Sequence, residues 1–133
     1  MARILIAEDD ALIAMHFELL LREAGHEVCG IAVTAPEAVA KTEALAPDLI
    51  LMDGGLARGT SGLFATASIV RRWGTPVIFV SANVSENLAL AAGAVRHLSK
   101  PVLSGELVRT VNEVLHRSAA SAPPGPPRRA NGH

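Results

Sequence analysis

Glu8-Asp9-Asp10, Asp53, Ser81 and Lys100 each stand at the point where a short apolar run gives out. The runs are RILIA (3–7), DLILMD (48–53), TPVIFVS (75–81) and VRHLS (95–99). Brought together, three neighbouring carboxylates repel one another, and that cost demands a cation. Hard oxygen ligands in a small cluster suit Mg²⁺, which takes a few carboxylates and keeps several waters. Lys100 would add a fixed positive charge and Ser81 a hydroxyl. An acid, a metal, a hydroxyl and an ammonium are the equipment for receiving a phosphoryl group on Asp53. The carboxylate attacks, Mg²⁺ neutralises phosphoryl oxygens, and Lys100 and Ser81 bind those that remain. The glycines of GGLARGTSG (54–62) fit the same chemistry. They let the backbone come close, so that the Gly55 carbonyl reaches the metal and backbone amides face phosphate.

Such residues meet only if the elements carrying them are arranged for it. A fifth β-rich run, EVCGIAV (27–33), completes a set of five, and segments with helical spacing separate them at about 11–24, 35–45, 62–72, 84–92 and 103–117. Three of the runs are continuously apolar, which suits a parallel sheet covered on both faces. The alternation predicts a doubly wound α/β domain, a five-stranded parallel sheet of order 2-1-3-4-5 (flavodoxin-like) with five helices. In that order strands 1 and 3 are neighbours at the switch point, where ligands gather outside the carboxyl ends of strands. The acids of strand 1 would then lie beside Asp53. Singly, each residue has a plainer role: Asp53 capping a turn, Asp9 or Asp10 the N-cap of the first helix, Ser81 the cap of the fourth, Lys100 a solvated charge. Those roles do not explain why four strand ends carry complementary parts of one reaction.

Composition narrows the class. The chain has 133 residues, half of them apolar, and a formal net charge of −1. That balance argues against a broad nucleic-acid or membrane footprint. One cysteine, Cys29, cannot form an internal disulfide and fits a reducing compartment. With no signal segment and no apolar run of membrane-spanning length, a soluble cytoplasmic domain is expected over 1–117. From Ser118 the text becomes SAASAPPGPPRRANGH, read as a disordered Pro/Gly-rich tail over 118–133.

The motifs ILIAEDD, LILMD, VIFVSA and LSKP, in that order and spacing, resemble the receiver domain of two-component response regulators. The resemblance covers about residues 3–117 and implies particular roles. Glu8 and Asp9 match the acidic pair that holds Mg²⁺. Asp53 matches the phosphoacceptor, with the Gly55 carbonyl on the metal. Ser81, followed by Ala82, matches the hydroxyl switch, and Lys100 precedes Pro101 in a cis peptide. The family takes its phosphoryl group from a sensor histidine kinase or a histidine phosphotransfer protein and catalyses only its own slow dephosphorylation, so no turnover enzyme is expected. Two departures stand out. His97 occupies the place of the usual Tyr or Phe switch residue, as either an inward-turning switch or a plain surface strand residue. The loop after Asp53 is one residue longer than usual and lacks proline, which suggests a more mobile loop.

The helical segments add a partner surface. Ile13, Phe17, Leu20, Leu21 and Ala24 form a stripe expected to face the sheet. Leu12, Met15 and Leu19 form a second stripe nearly opposite, a docking surface for the kinase or phosphotransfer protein, or else scattered surface apolar residues. Leu103, Leu107, Val111, Val114 and Leu115 form the single stripe of the fifth helix. In receivers the fourth and fifth helices serve an output target or a homodimer, and neither is fixed here. The leading expectation is a stand-alone receiver acting as a protein-interaction switch or phosphorelay shuttle, since no DNA-binding domain follows. The alternatives are a degenerate receiver that only docks and an Mg²⁺-dependent aspartyl phosphohydrolase. The hydrolase usually has a second acid two residues after the first, where this chain has Gly55.

Overall fold

Strands such as LILMD and VIFVS have no polar residue before their last position, so neither of their faces is suited to water. The computed structural model, which describes residues 1–121, buries both of these strands along their whole length. The elements alternate as β1 (Arg3–Ala7), α1 (Ala11–Glu23), β2 (Glu27–Ala32), α2 (Ala35–Leu45), β3 (Leu49–Asp53), α3 (Gly62–Trp73), β4 (Val77–Ser81), α4 (Glu86–Ala91), β5 (Arg96–Ser99) and α5 (Ser104–Ser121). The strands form one parallel sheet in the order β2-β1-β3-β4-β5. α5 continues past the boundary expected at 117, and the rest of the expected tail lies outside the described residues.

Strand alternation divides the core in two. Ile4, Ile6, Leu49, Leu51, Ile78 and Val80 face α1 and α5, meeting Phe17, Leu21, Leu107 and Val111. Leu5, Ala7, Ile50, Met52, Val77 and Phe79 face the other way, toward Ala38 of α2, Ala65 and Ile69 of α3 and Ala89 of α4. Two layers of helix therefore seal the sheet, and its polar strand ends are left as the place where chemistry can reach solvent.

α1, α2, α3 and α4 each start on a side-chain cap. The Asp10 carboxylate accepts from the amides of Leu12 and Ile13, Thr34 Oγ1 from Glu37, and Ser85 Oγ from Leu88. Asp10 therefore takes the capping role that the sequence left open between Asp9 and Asp10, and Ser85, not Ser81, caps α4. The α1 stripe packs as expected through Phe17 and Leu21, with Ile13 and Leu20 half-buried beside them. In α5 the stripe starts at Leu107. Leu103 is exposed because it precedes the first helical turn, where helical periodicity does not yet orient it. Among the described residues no helix is long and apolar enough to cross a membrane.

Candidate functional site

The parallel register fixes where the acids fall. Ala7 pairs with Met52 at the end of β1 and β3, so the next residues, Glu8 and Asp53, emerge side by side. Ser81 pairs with Ser99 at the end of β4 and β5, and the Lys100 amide donates to the Ser81 carbonyl at 3.1 Å. The Lys100–Pro101 peptide is cis, as expected. Four strands thus deliver their terminal residues to one edge of the sheet.

At that edge one ammonium joins two buried acids. Lys100 Nζ donates to Glu8 Oε1 at 2.9 Å and to Asp53 Oδ1 at 3.2 Å. Glu8 is 2 % exposed and Asp53 8 %, while Asp9 lies open to solvent. One carboxylate oxygen from each of Glu8, Asp9 and Asp53 lies within 4.8 Å of the others. Three carboxylates against one ammonium leave a formal charge of −2, and all three offer oxygen. That donor set fits a hard divalent ion such as Mg²⁺ in size and chemistry.

The electrostatics bear the strain of this grouping. Burial pushes the Glu8 carboxyl above its ordinary value, and the Asp53 charge pushes the same way; hydrogen bonds from Lys100 and the Asp10 amide only partly offset them. Burial works against the Lys100 ammonium, yet the Glu8 hydrogen bond and the charges of Asp53 and Glu8 outweigh it and hold Lys100 above its ordinary value. The cluster is one cation short of comfort.

Ser81, Ala82 and His97 form a separate group. The Ser81 hydroxyl donates to the Val84 carbonyl at 3.1 Å and accepts from the Val84 amide at 3.2 Å. His97 Nε2 donates to the same carbonyl at 2.8 Å and lies 3.5 Å from Ser81 Oγ. Its ring stacks near Phe79 with the planes 17° apart. His97 is therefore turned inward and half-buried, not a plain surface residue, and it shares a carbonyl with the hydroxyl at the end of β4. Ala82 is exposed and lines, with Ser85, Glu86, His97 and Glu106, an open cavity of about 530 Å³.

The loop after Asp53 is hydrogen-bonded within itself and across to Val33. The Gly62 amide donates to the Gly54 carbonyl at 3.0 Å, Gly55 pairs with Ser61 in an antiparallel bridge, and the Leu56 amide donates to the Thr60 carbonyl at 3.1 Å. Leu56 is buried, and the Ala57 amide reaches across to the Val33 carbonyl at 2.8 Å. The missing proline is thus made good by a small hairpin. A Cβ on Gly62 would fall 2.0 Å from the Asp53 carbonyl oxygen, so this glycine is required for the close approach. Sequence reasoning did not single out Gly62, Thr60 or Val84. Only Gly62 left a trace, as the glycine that follows the helix-capping Ser61.

The second α1 stripe stays outside the core: Leu12 is 76 % exposed, Met15 62 % and Leu19 56 %. It begins immediately beyond the acidic residues and Asp10.

Known proteins align with this geometry. The model of the response regulator receiver domain matches residues 4–112. The transcriptional regulatory protein PdtaR of Mycobacterium tuberculosis is 36 % identical over 118 residues, which is 86 % of this chain and 57 % of that protein. The phyllosphere-induced regulator PhyR of Methylorubrum extorquens is 48 % identical over 80 residues, 59 % of this chain and 30 % of that protein. The chain thus spans well under two thirds of either relative's length. A CheY-like response regulator receiver domain protein from Methanospirillum hungatei superposes with a TM-score of 0.84 at 30 % identity, covering 92 % of this chain and 99 % of that one.

Proposed function

The chain belongs to the response regulator receiver domain family, and from that premise we propose that it accepts a phosphoryl group on Asp53 from a phosphohistidine of a sensor kinase or histidine phosphotransfer protein. The observation that carries this reading is the bridge from Lys100 Nζ to both Glu8 and Asp53, beside Asp9. Glu8, Asp9, Asp53 and the Gly55 carbonyl would hold Mg²⁺. When bound, the ion supplies positive charge to the phosphoryl oxygens.

The remaining work belongs to the chain's own residues. An Asp53 carboxylate oxygen forms the new bond to phosphorus while the donor's nitrogen–phosphorus bond breaks and the imidazole leaves. Lys100, already 3.2 Å from Asp53 Oδ1, is placed to pair with a phosphoryl oxygen. Ser81 would take another by giving up its bonds to Val84, and that exchange would free the carbonyl for His97 alone. A change at Asp53 would reach the 82–86 segment and the cavity beside it in this way, so the domain would act as a protein-interaction switch or relay. Ala82 would present its amide to the same group, as the residue following the hydroxyl.

Gly55, not an acid, stands two residues after Asp53, which favours a phosphoacceptor over a turnover phosphohydrolase. The exposed Leu12–Met15–Leu19 stripe beside the site is assigned to docking of the phosphodonor. A cytoplasmic setting agrees with the free, half-buried Cys29. The test is intact mass after incubation with Mg²⁺ and acetyl phosphate. A phosphate-sized increment is expected in the parent protein and is lost in Asp53→Asn and on chelation. An unmodified parent would favour a receiver that only docks.

A further inference from the structure

We propose that Thr60 is a positioning residue that locks the phosphoacceptor loop, and with it the Gly55 carbonyl, onto the N-terminus of α2; the inference rests on the phosphoacceptor reading of Asp53. Thr60 Oγ1 accepts from the Ala35 amide at 3.0 Å and donates to the Ala57 carbonyl at 2.7 Å. One half-buried hydroxyl thus satisfies the first amide of a helix and closes the turn of the hairpin that carries Gly55.

Thr60 acts on Gly55 by short steps. The Thr60 carbonyl receives the Leu56 amide, and the flanking pair Gly55–Ser61 forms the bridge. On the far side, the anchor itself is firm. Thr34 Oγ1 accepts from the Glu37 amide while Glu37 Oε1 accepts from the Val33 amide at 2.6 Å, a reciprocal cap that holds residues 33–37 in place. Val33 in turn receives the Ala57 amide on its carbonyl. The loop is therefore held at two points, Ala57 and Thr60, on the segment from Val33 to the start of α2, which bears none of Glu8, Asp9 and Asp53. Without the hydroxyl, Ala57 alone ties the loop across to this segment, and the turn through Arg58 and Gly59, both in the left-handed region, keeps only its backbone closure, the Thr60 amide on the Ala57 carbonyl at 3.2 Å. Loss of groups that orient metal ligands from outside typically costs about 10–100-fold in metal affinity.

The test compares the parent with Thr60→Ser, Thr60→Val and Thr60→Ala. Serine keeps both hydrogen bonds. Valine keeps the shape and loses them. Alanine loses them and leaves no branched side chain against the Ala35 amide. Mg²⁺ affinity is read by calorimetry, amide exchange of residues 54–62 in metal-free protein by mass spectrometry, and phosphoryl loss after acetyl phosphate by intact mass. Thr60→Val and Thr60→Ala are expected to weaken Mg²⁺ binding roughly tenfold, within the range for groups that support metal ligands, to speed exchange in the loop and to change the phosphoryl lifetime. Thr60→Ser should behave as the parent. If the parent binds Mg²⁺ and takes phosphate but Thr60→Val matches it in all three readings, Thr60 does not position the loop. If Thr60→Val fails to fold, Thr60→Ala and the serine rescue decide. A parent that binds no Mg²⁺ and takes no phosphate overturns the phosphoacceptor reading and this inference with it.

Discussion

At Gly62 a single methyl group decides the sign of a substitution. By helix propensity alone, Gly62→Ala at the start of α3 would gain up to about 1 kcal/mol. The added Cβ would instead fall 2.0 Å from the Asp53 carbonyl oxygen and 3.2 Å from Gly54 Cα, both backbone atoms that cannot swing away. Overpacking typically costs about 1–3 kcal/mol, and a backbone collision belongs at the upper end. Gly62→Ala is therefore expected to lower stability by about 2 kcal/mol in urea denaturation and to slow labelling of Asp53 by acetyl phosphate; unchanged stability would show that the loop relaxes freely. The acids, Ser81 and Lys100 were legible in the sequence because strand ends declare themselves. The partners of Ser81 and His97 were not. Both bind Val84, and nothing in a one-dimensional text says that residues 81, 84 and 97 share a carbonyl.

α1 and α2 show how far periodicity reaches. In α1 the 3.6-residue period separates a buried stripe around Phe17 and Leu21 from the exposed Leu12, Met15 and Leu19. Ala14, buried at 3 %, completes the inner stripe because its small side chain lets the helix lie close to the sheet. If the outer stripe docks the phosphodonor, Met15→Asp with Leu19→Asp will reduce transfer from the cognate kinase or phosphotransfer protein while leaving labelling by acetyl phosphate intact. Equal transfer would remove the docking role. In α2 the cap at Glu37 is sensitive to acid. The Val33 amide holds the Glu37 carboxyl below its ordinary value of 4.5, aided by Lys41. A lowered folded value means that its contribution is present above pH 4.5 and lost as pH falls through the folded value. The urea midpoint of the parent should exceed that of Glu37→Gln near neutrality, and the difference should shrink on acidification below pH 4.5; a constant difference would contradict the charged cap. The loop between β3 and α3 defied the same reading. Its hydrogen bonds run to Val33 and Ala35, far away in sequence, so the proline-free text gave no sign of them.

For the molecule as a whole, the sheet order does the gathering. Continuous apolar strands and alternating helices announced the doubly wound fold, and the 2-1-3-4-5 order then placed Glu8 beside Asp53 with no further information. Helices on both faces leave the carboxyl edge of the sheet as the place where buried carboxylates and an ammonium meet solvent. The charge imbalance there, three acids against Lys100, is what a metal and a phosphoryl group would use. Mass alone counts phosphoryl groups without locating them, and Asp9 is the more exposed acid. The most direct measurement is therefore to treat the parent with Mg²⁺ and acetyl phosphate, reduce the acyl phosphate with borohydride, and map the peptides. Aspartyl phosphate is converted to homoserine, which should be found at position 53 and nowhere else. Homoserine at position 9 or 10, or none under conditions that preserve acyl phosphates, would contradict the assignment of Asp53 as the acceptor.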